Sequence, residues 1–363
     1  MVSAAKSHWY CREVLRCGPP GHWLEVCGAD QESIGFRLGT FGLPDRCFSS
    51  PSLSPSSSRR HPEAAAAQLD PNYYANICPN LENLVRGAVV KMMSQTPVAA
   101  PATLRLFFHD CFVMGCDASI MIISSDGSDE WRNPADFSLK AEGFETVLAA
   151  KAAVDGDLQC TNKVSCADIL ALATRDVVSL SGGPTWPVEL GRYDGKVSLG
   201  SDVVLPSPDF NLDQLNGMFG SFGLTQTDMI SLSGGHTIGA SSCTFFYNRL
   251  YPGDPTVSPG FLLQLQQSCP NPLLDPNAFA FLDAATPLQF DNAYFRNLQQ
   301  GMGLLNSDQV LFNDPRSQGT VNLFASNQSA FFSAFVDAMT RLGRLGTKTA
   351  VDGEIRRDCR FVN

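Results

Sequence analysis

From Gln68 onward, apolar residues recur at helical spacing. Leu81, Leu84, Val85, Ala88, Val89 and Met92 fall on one face, and the run stops before Pro97. The stretch SCADILALATRDVVSLSGGP opens at Ser165 as an N-cap, with Asp168 three residues on, and closes at Gly182-Gly183-Pro184. Phe331, Phe335, Ala338 and Leu342 make a third stripe. Alternating apolar and polar stretches are scarce, so the spacing predicts a mainly α body with minimal β. Long Pro/Gly/Asn-rich connections, such as Tyr251 to Pro259, join its helices. Upstream the pattern is lost. CREVLRCGPPGHWLEVCGADQESIGF has no sustained period, and SSPSLSPSSSRRHPEAAAAQ is Ser/Pro-rich and solvated. Residues 1–67 are therefore expected to be an atypical extension, disordered or non-native, ahead of an organised domain over 68–363.

Composition narrows the picture. The chain has 363 residues, 44% hydrophobic and 17% charged, which suits one large domain or two modest ones. Its net charge of −10 speaks against nucleic acid as a partner, since phosphate binding needs clustered cations. From Gln68 on there are 19 Lys and Arg against 30 Asp and Glu, a charge of −11 that also works against tight binding to acidic polymers. No run of eighteen apolar residues exists, so no membrane span is expected. No clear signal peptide opens the chain. Ala64 to Ala67 resemble the small-residue end of a cleavage site without its apolar stretch, so residues 1–63 read as an alternative or mispredicted first exon.

Of twelve cysteines, Cys11, Cys17, Cys27 and Cys47 lie in the extension. The remaining eight are even in number and widely scattered, which predicts four disulfides and an oxidising compartment. No CxxC pair occurs, which disfavours a zinc ribbon.

The chemistry gathers around two histidines. His8, His22 and His61 lie in the extension, and the body keeps only His109 and His236. In RLFFHDCFVMGCDAS, Arg105 and His109 sit at i and i+4 on one helical face. That pairing suits a histidine that moves a proton beside a guanidinium that stabilises developing negative charge. Asp110, Asp117 and Ser119 follow closely as hard oxygen ligands for Ca²⁺, on a loop that Cys111 and Cys116 could close. A zinc site using His109 and both cysteines, or a nucleophilic Cys111, are the alternatives. The second histidine, in SLSGGHTIG, precedes Thr237, and a second oxygen cluster follows at Asp283, Thr286 and Asp291. Two histidines, one with an arginine and one without, fit haem held between two helical halves, one histidine as axial ligand and the other on the open face.

The motifs LRLFFHDCFVMGCDASI, VSCADILALATRDVV, GGPTWPVELGRYDG, LSGGHTIG, TPLQFDNAYF and GLLNSDQVL closely resemble those of the secreted plant (class III) haem peroxidases, over about Gln68 to Asn363. The resemblance implies the haem-peroxidase fold: a distal half over about 68–205 and a proximal half over about 206–363, with one haem b between them. It implies Arg105, His109 and the aromatic Phe108 on the distal side, His236 as the proximal iron ligand, and Asp308 as acceptor of the His236 N–H. It implies two Ca²⁺ ions. The distal one would take Asp110, Asp117 and Ser119 with the Val113 and Gly115 carbonyls; the proximal one Thr237, Asp283, Thr286 and Asp291 with a carbonyl near Gln289. Pro206 would line the site for an aromatic donor. The implied disulfides are Cys78–Cys160, Cys111–Cys116, Cys166–Cys359 and Cys243–Cys269.

The implied function is reduction of hydrogen peroxide with one-electron oxidation of two phenolic donors, serving peroxide removal, the oxidative stress response and lignin-type wall chemistry. A monomer exported to the cell wall or vacuole is expected, and the NQS sequon at Asn327 agrees with export. A protein of the wall or matrix that keeps the fold without turnover, and a Cys111/His109 hydrolase, are the competing readings. One position departs from the family: Asp136 stands where it usually has Asn. A carboxylate there favours the imidazolium, which predicts a weaker base at His109 and a slower peroxide step than in Asp136→Asn.

Overall fold

The computed structural model describes residues 68–270, 275 and 277–363, together with three strand segments nearer the N-terminus. Those strands, β1 (Tyr10–Cys11), β2 (Glu25–Ala29) and β3 (Ser33–Arg37), form an antiparallel sheet in that order. They belong to a unit of their own, Met1–His61, which the apolar pattern had not marked as β. Cys17, Cys47, His8, His22, His61 and the Ser/Pro-rich stretch lie outside the described residues.

The second unit, Pro62–Asn363, is mainly α, with twelve helices among the described residues. Four come first: α1 (Leu81–Gln95), α2 (Ala99–Phe112), α3 (Ala141–Asp155) and α4 (Cys166–Leu180). α1 packs on α3 and α4, and α2 packs on α3 and α4. Leu81, Val85 and Val89 are the buried stripe of α1, as their spacing predicts. α4 is buried on every side from Cys166 to Val178. The Ser165 hydroxyl caps it by accepting from the Asp168 N–H at 3.1 Å, an interaction whose loss costs about 1 kcal/mol.

Eight more helices follow: α5 (Leu212–Ser221), α6 (Gln226–Ser233), α7 (Tyr247–Leu250), α8 (Pro259–Ser268), α9 (Ala293–Gln299), α10 (Asn306–Asn313), α11 (Pro315–Ser326) and α12 (Gln328–Leu342). α12 lies on α6, α11 lies on α9, and α10 lies on α11. Phe331, Phe335, Ala338 and Leu342 are buried as the stripe predicts. Phe331 and Phe335 pack against Phe290, at ring separations of 5.8 and 4.9 Å. Truncating one such ring to alanine costs about 3–5 kcal/mol. The only β structure described in this unit beyond isolated bridges is a ribbon of β4 (Ala240–Ser242) and β5 (Phe279–Phe281).

Four disulfides join Cys78–Cys160, Cys111–Cys116, Cys166–Cys359 and Cys243–Cys269, the pairing that the resemblance implies. The eight body cysteines are thus bonded in pairs, which removes the thiol chemistry left open at Cys111 and the zinc alternative with it. Cys166–Cys359 anchors the C-terminal segment to the head of α4. Beside it the fully buried Arg356 donates to the Ala118 carbonyl at 2.6 Å and to the Cys359 carbonyl at 2.6 Å.

Candidate functional site

α2 carries Arg105, Phe108, His109 and Asp110 within two turns. His109 is buried, and its Nε2 accepts from the Arg105 Nε–H at 3.1 Å. A guanidinium can only donate, so the imidazole proton resides on Nδ1. That proton is given to Asp136 Oδ1, 2.5 Å away. Arg105 is fixed in turn by the Ser138 carbonyl at 3.1 Å and the Ser138 hydroxyl at 2.9 Å. The Phe108 ring stands edge-on to His109 at 6.2 Å and stacks on Phe112 at 4.3 Å.

Asp136 does hold His109 toward its protonated form, but it does not decide the balance. Burial is the larger influence and, with the Arg105 charge, pushes the imidazole down to about 4. His109 is therefore held as a neutral base over most of the pH range: Asp136 pulls toward the imidazolium, the direction its carboxylate implies, and burial outweighs it. Burial lowers Arg105 as well, and Asp136 partly restores it.

Just past α2 the chain turns back on itself. Met114 and Ala118 take left-handed conformations, with φ of 61° and 56°. Gly115 has φ +115°, and a Cβ there would meet the Gly346 backbone at 2.5 Å, so only glycine fits. The loop brings Asp110, Asp117 and Ser119 into one buried cluster. Asp110 accepts from the Ala118 N–H at 3.0 Å, and Asp117 from the Ser119 N–H at 3.0 Å. Burial raises the Asp110 carboxyl well above its usual range, and Asp117 raises it further; burial raises Asp117 too. The Ser119 hydroxyl has no partner, and among the described residues nothing donates to the Val113 or Gly115 carbonyl. Two crowded buried carboxyls, an unpartnered hydroxyl and two open carbonyls are a donor set that suits a hard divalent cation.

Glu130 is a residue the sequence reading missed. It is 2% exposed and leaves one carboxyl oxygen unpartnered. Burial, then Asp110, push it up to about 9. In GSDEWRNPAD it looks like surface charge, and only the fold reveals where it points.

His236 sits on a 3-10 turn, Gly234–Thr237, directly after α6. Its Nδ1 pairs with Asp308 Oδ1 at 2.8 Å, and its side chain remains 40% exposed. A neutral imidazole that gives Nδ1–H to a carboxylate offers Nε2 as an iron ligand. Gly235 approaches α2 at Leu104, where an added Cβ would lie 3.5 Å from the leucine side chain. The turn thus faces the helix that carries Arg105 and His109, and this donor set fits a haem.

The second oxygen cluster also converges. Asp283 Oδ2 accepts from Thr237 Oγ1 at 3.0 Å and from Thr286 Oγ1 at 3.3 Å, and Asp291 accepts from the same threonine at 3.2 Å. Asn297, unmarked in the sequence reading, donates to Asp283 Oδ1 at 2.7 Å. Pro206 is half-buried on the stretch leading into α5. That stretch is tied to α10, which carries Asp308, by the Ser307 N–H and the Pro208 carbonyl at 2.9 Å.

Comparison with known proteins agrees with this geometry. The profile of the family described as Peroxidase matches residues 85–327. Peroxidase 16 of Arabidopsis thaliana is 57% identical over 305 residues, covering 82% of this chain and 93% of the relative. Peroxidase 45 of the same plant is 56% identical over 306 residues, with the same coverage. Peroxidase 51 is 52% identical over 308 residues, again covering 82% and 93%.

Proposed function

The chain belongs to the class III plant peroxidase family and is a haem peroxidase; on that premise we propose how its own residues divide the work and what they act on. When bound, the haem supplies an iron centre that accepts electrons from donors and passes them to peroxide. Hydrogen peroxide takes up two electrons and two protons to become two waters, while two donor molecules each lose one electron and one proton.

His109 is the base. Its Nε2 takes the proton from the near oxygen of peroxide and returns it to the departing one. Arg105, which rests on Nε2 at 3.1 Å, turns to the charge that grows as the O–O bond breaks. One such donor is commonly worth about 3 kcal/mol. Phe108 and Phe112 keep the surroundings dry, which strengthens that charge interaction. His236 holds the haem through Nε2, with Asp308 as acceptor of its other N–H.

Two calcium ions complete the holoprotein, one at the Asp110–Ser119 loop and one at Thr237 with Asp283, Thr286 and Asp291. The donors are small phenols at a surface lined by Pro206. The protein is exported as a monomer to the wall or vacuole, where it consumes peroxide and oxidises wall phenolics of the lignin type.

The observation that carries the reading is the asymmetry of the two histidines: each is held by an aspartate through Nδ1, but among the described residues only His109 has an arginine at Nε2. The test is haem-loaded protein mixed with peroxide and a simple phenol. Two phenols consumed per peroxide support it. A normal haem spectrum without phenol turnover would overturn it.

A further inference from the structure

Tyr294, on α9, is 1% exposed, and nothing in the proposed reaction uses it. Its hydroxyl donates to Asp308 Oδ1 at 2.9 Å. That oxygen is the one that pairs with His236 Nδ1 at 2.8 Å, while Oδ2 accepts from the Leu305 N–H at 3.1 Å. Its ring stands edge-on to the His236 ring at 6.2 Å. A buried tyrosine needs some acceptor for its hydroxyl. Satisfaction alone does not require that the acceptor be the atom on which the histidine depends.

Two donors on one carboxylate oxygen compete for its charge. Each hydrogen bond to an ionised carboxylate stabilises the negative form and lowers its basicity. A less basic Asp308 pulls less on the Nδ1 proton of His236, so Nε2 carries less electron density. Hydrogen bonding behind an axial ligand is one of the levers by which a protein sets a haem potential.

We propose that Tyr294 is a positioning and tuning residue: by sharing Asp308 Oδ1 with His236 it moderates the electron-donating strength of the proximal imidazole. The inference rests on the reading of His236 as the iron ligand. Removing the hydroxyl leaves Asp308 Oδ1 to the histidine alone, makes Nε2 a stronger donor, and moves the ferric/ferrous potential to more negative values.

The experiment compares haem-loaded full-length protein with its Tyr294→Phe variant by spectroelectrochemistry and by the iron–histidine stretch in resonance Raman. Tyr294→Phe is expected to lower the potential and raise the stretching frequency. In an Asp308→Asn background the same substitution is expected to change neither. Equal potentials in wild type and Tyr294→Phe overturn the inference, as does an equal shift in both backgrounds. If Tyr294→Phe does not fold, 3-fluorotyrosine placed at position 294 gives the same test with opposite sign. The more acidic phenol donates more strongly, so the potential must rise, and an unchanged or lower value overturns the inference. His236→Ala separates the underlying reading: an iron–histidine stretch that survives that change removes His236 as the ligand, whatever Tyr294 does.

Discussion

The two histidines of the body differ in what remains free. His109 and His236 each pair through Nδ1 with an aspartate, at 2.5 and 2.8 Å. His109 is buried and its Nε2 meets Arg105, whereas the His236 side chain is 40% exposed and is held by Asp308 and, through it, Tyr294. One imidazole is kept neutral and dry beside a fixed positive charge, the setting for a proton carrier. The other is presented with an open nitrogen, the setting for a ligand. The same pair of residue types yields two chemistries because the second nitrogen has different company.

The sharpest way to break this comparison is to remove each ring. His236→Ala is expected to abolish the iron–histidine stretch and, with it, nearly all turnover, while His109→Ala should keep the haem and slow the peroxide step by roughly 10²–10⁴-fold. Stopped-flow mixing with peroxide and resonance Raman on both variants check the contrast. Arg105→Leu removes the charge that only one histidine has. The expected loss is about 10²–10³-fold in the peroxide step, with an unchanged iron–histidine stretch.

On the proposed two-calcium reading, chelation should act on both sides, because Asp110 adjoins His109 and Thr237 adjoins His236. Removing an ion bound at about a hundred times its dissociation constant costs about 2.7 kcal/mol, so the thermal midpoint should fall by several degrees, read by calorimetry with and without chelator. Asp136→Asn is the smallest change. Asp136 raises His109, so the substitution lowers its proton affinity further. The neutral base is lost as pH falls through about 4, and that inflection should move to lower pH in the variant. The rate on the plateau should change by less than about tenfold. The pH profile of the peroxide step decides this, and an inflection that moves up would reverse the assigned influence of Asp136.

Much of this was legible in the chain, for local reasons. α1 and α12 carry stripes whose spacing alone marks their buried faces, and α4 is marked by its Ser165 cap and its Gly182-Gly183-Pro184 stop. Arg105 and His109 are four residues apart, so a helix must place them together. What was not legible depends on distance along the chain. Arg105 is fixed by Ser138, 33 residues away, and His236 by Asp308, 72 residues away. Glu130 and Tyr294 hid because a glutamate in a polar loop and a tyrosine on a short helix look ordinary until their neighbours are known. The weight of burial on His109 could not be read from Asp136 either, since it comes from every element packed around α2.

Arg356 adds a consequence in time. It closes on the Ala118 carbonyl from 238 residues further along the chain. At about 5–20 residues per second, the ribosome delivers that arginine roughly ten to fifty seconds after the loop it braces. Until then the loop bearing Asp117 and Ser119 lacks its support. A chain cut short before Arg356 would carry every residue assigned to the reaction and still lack that brace on the loop, so the C-terminal segment works as a certificate that synthesis has run through it.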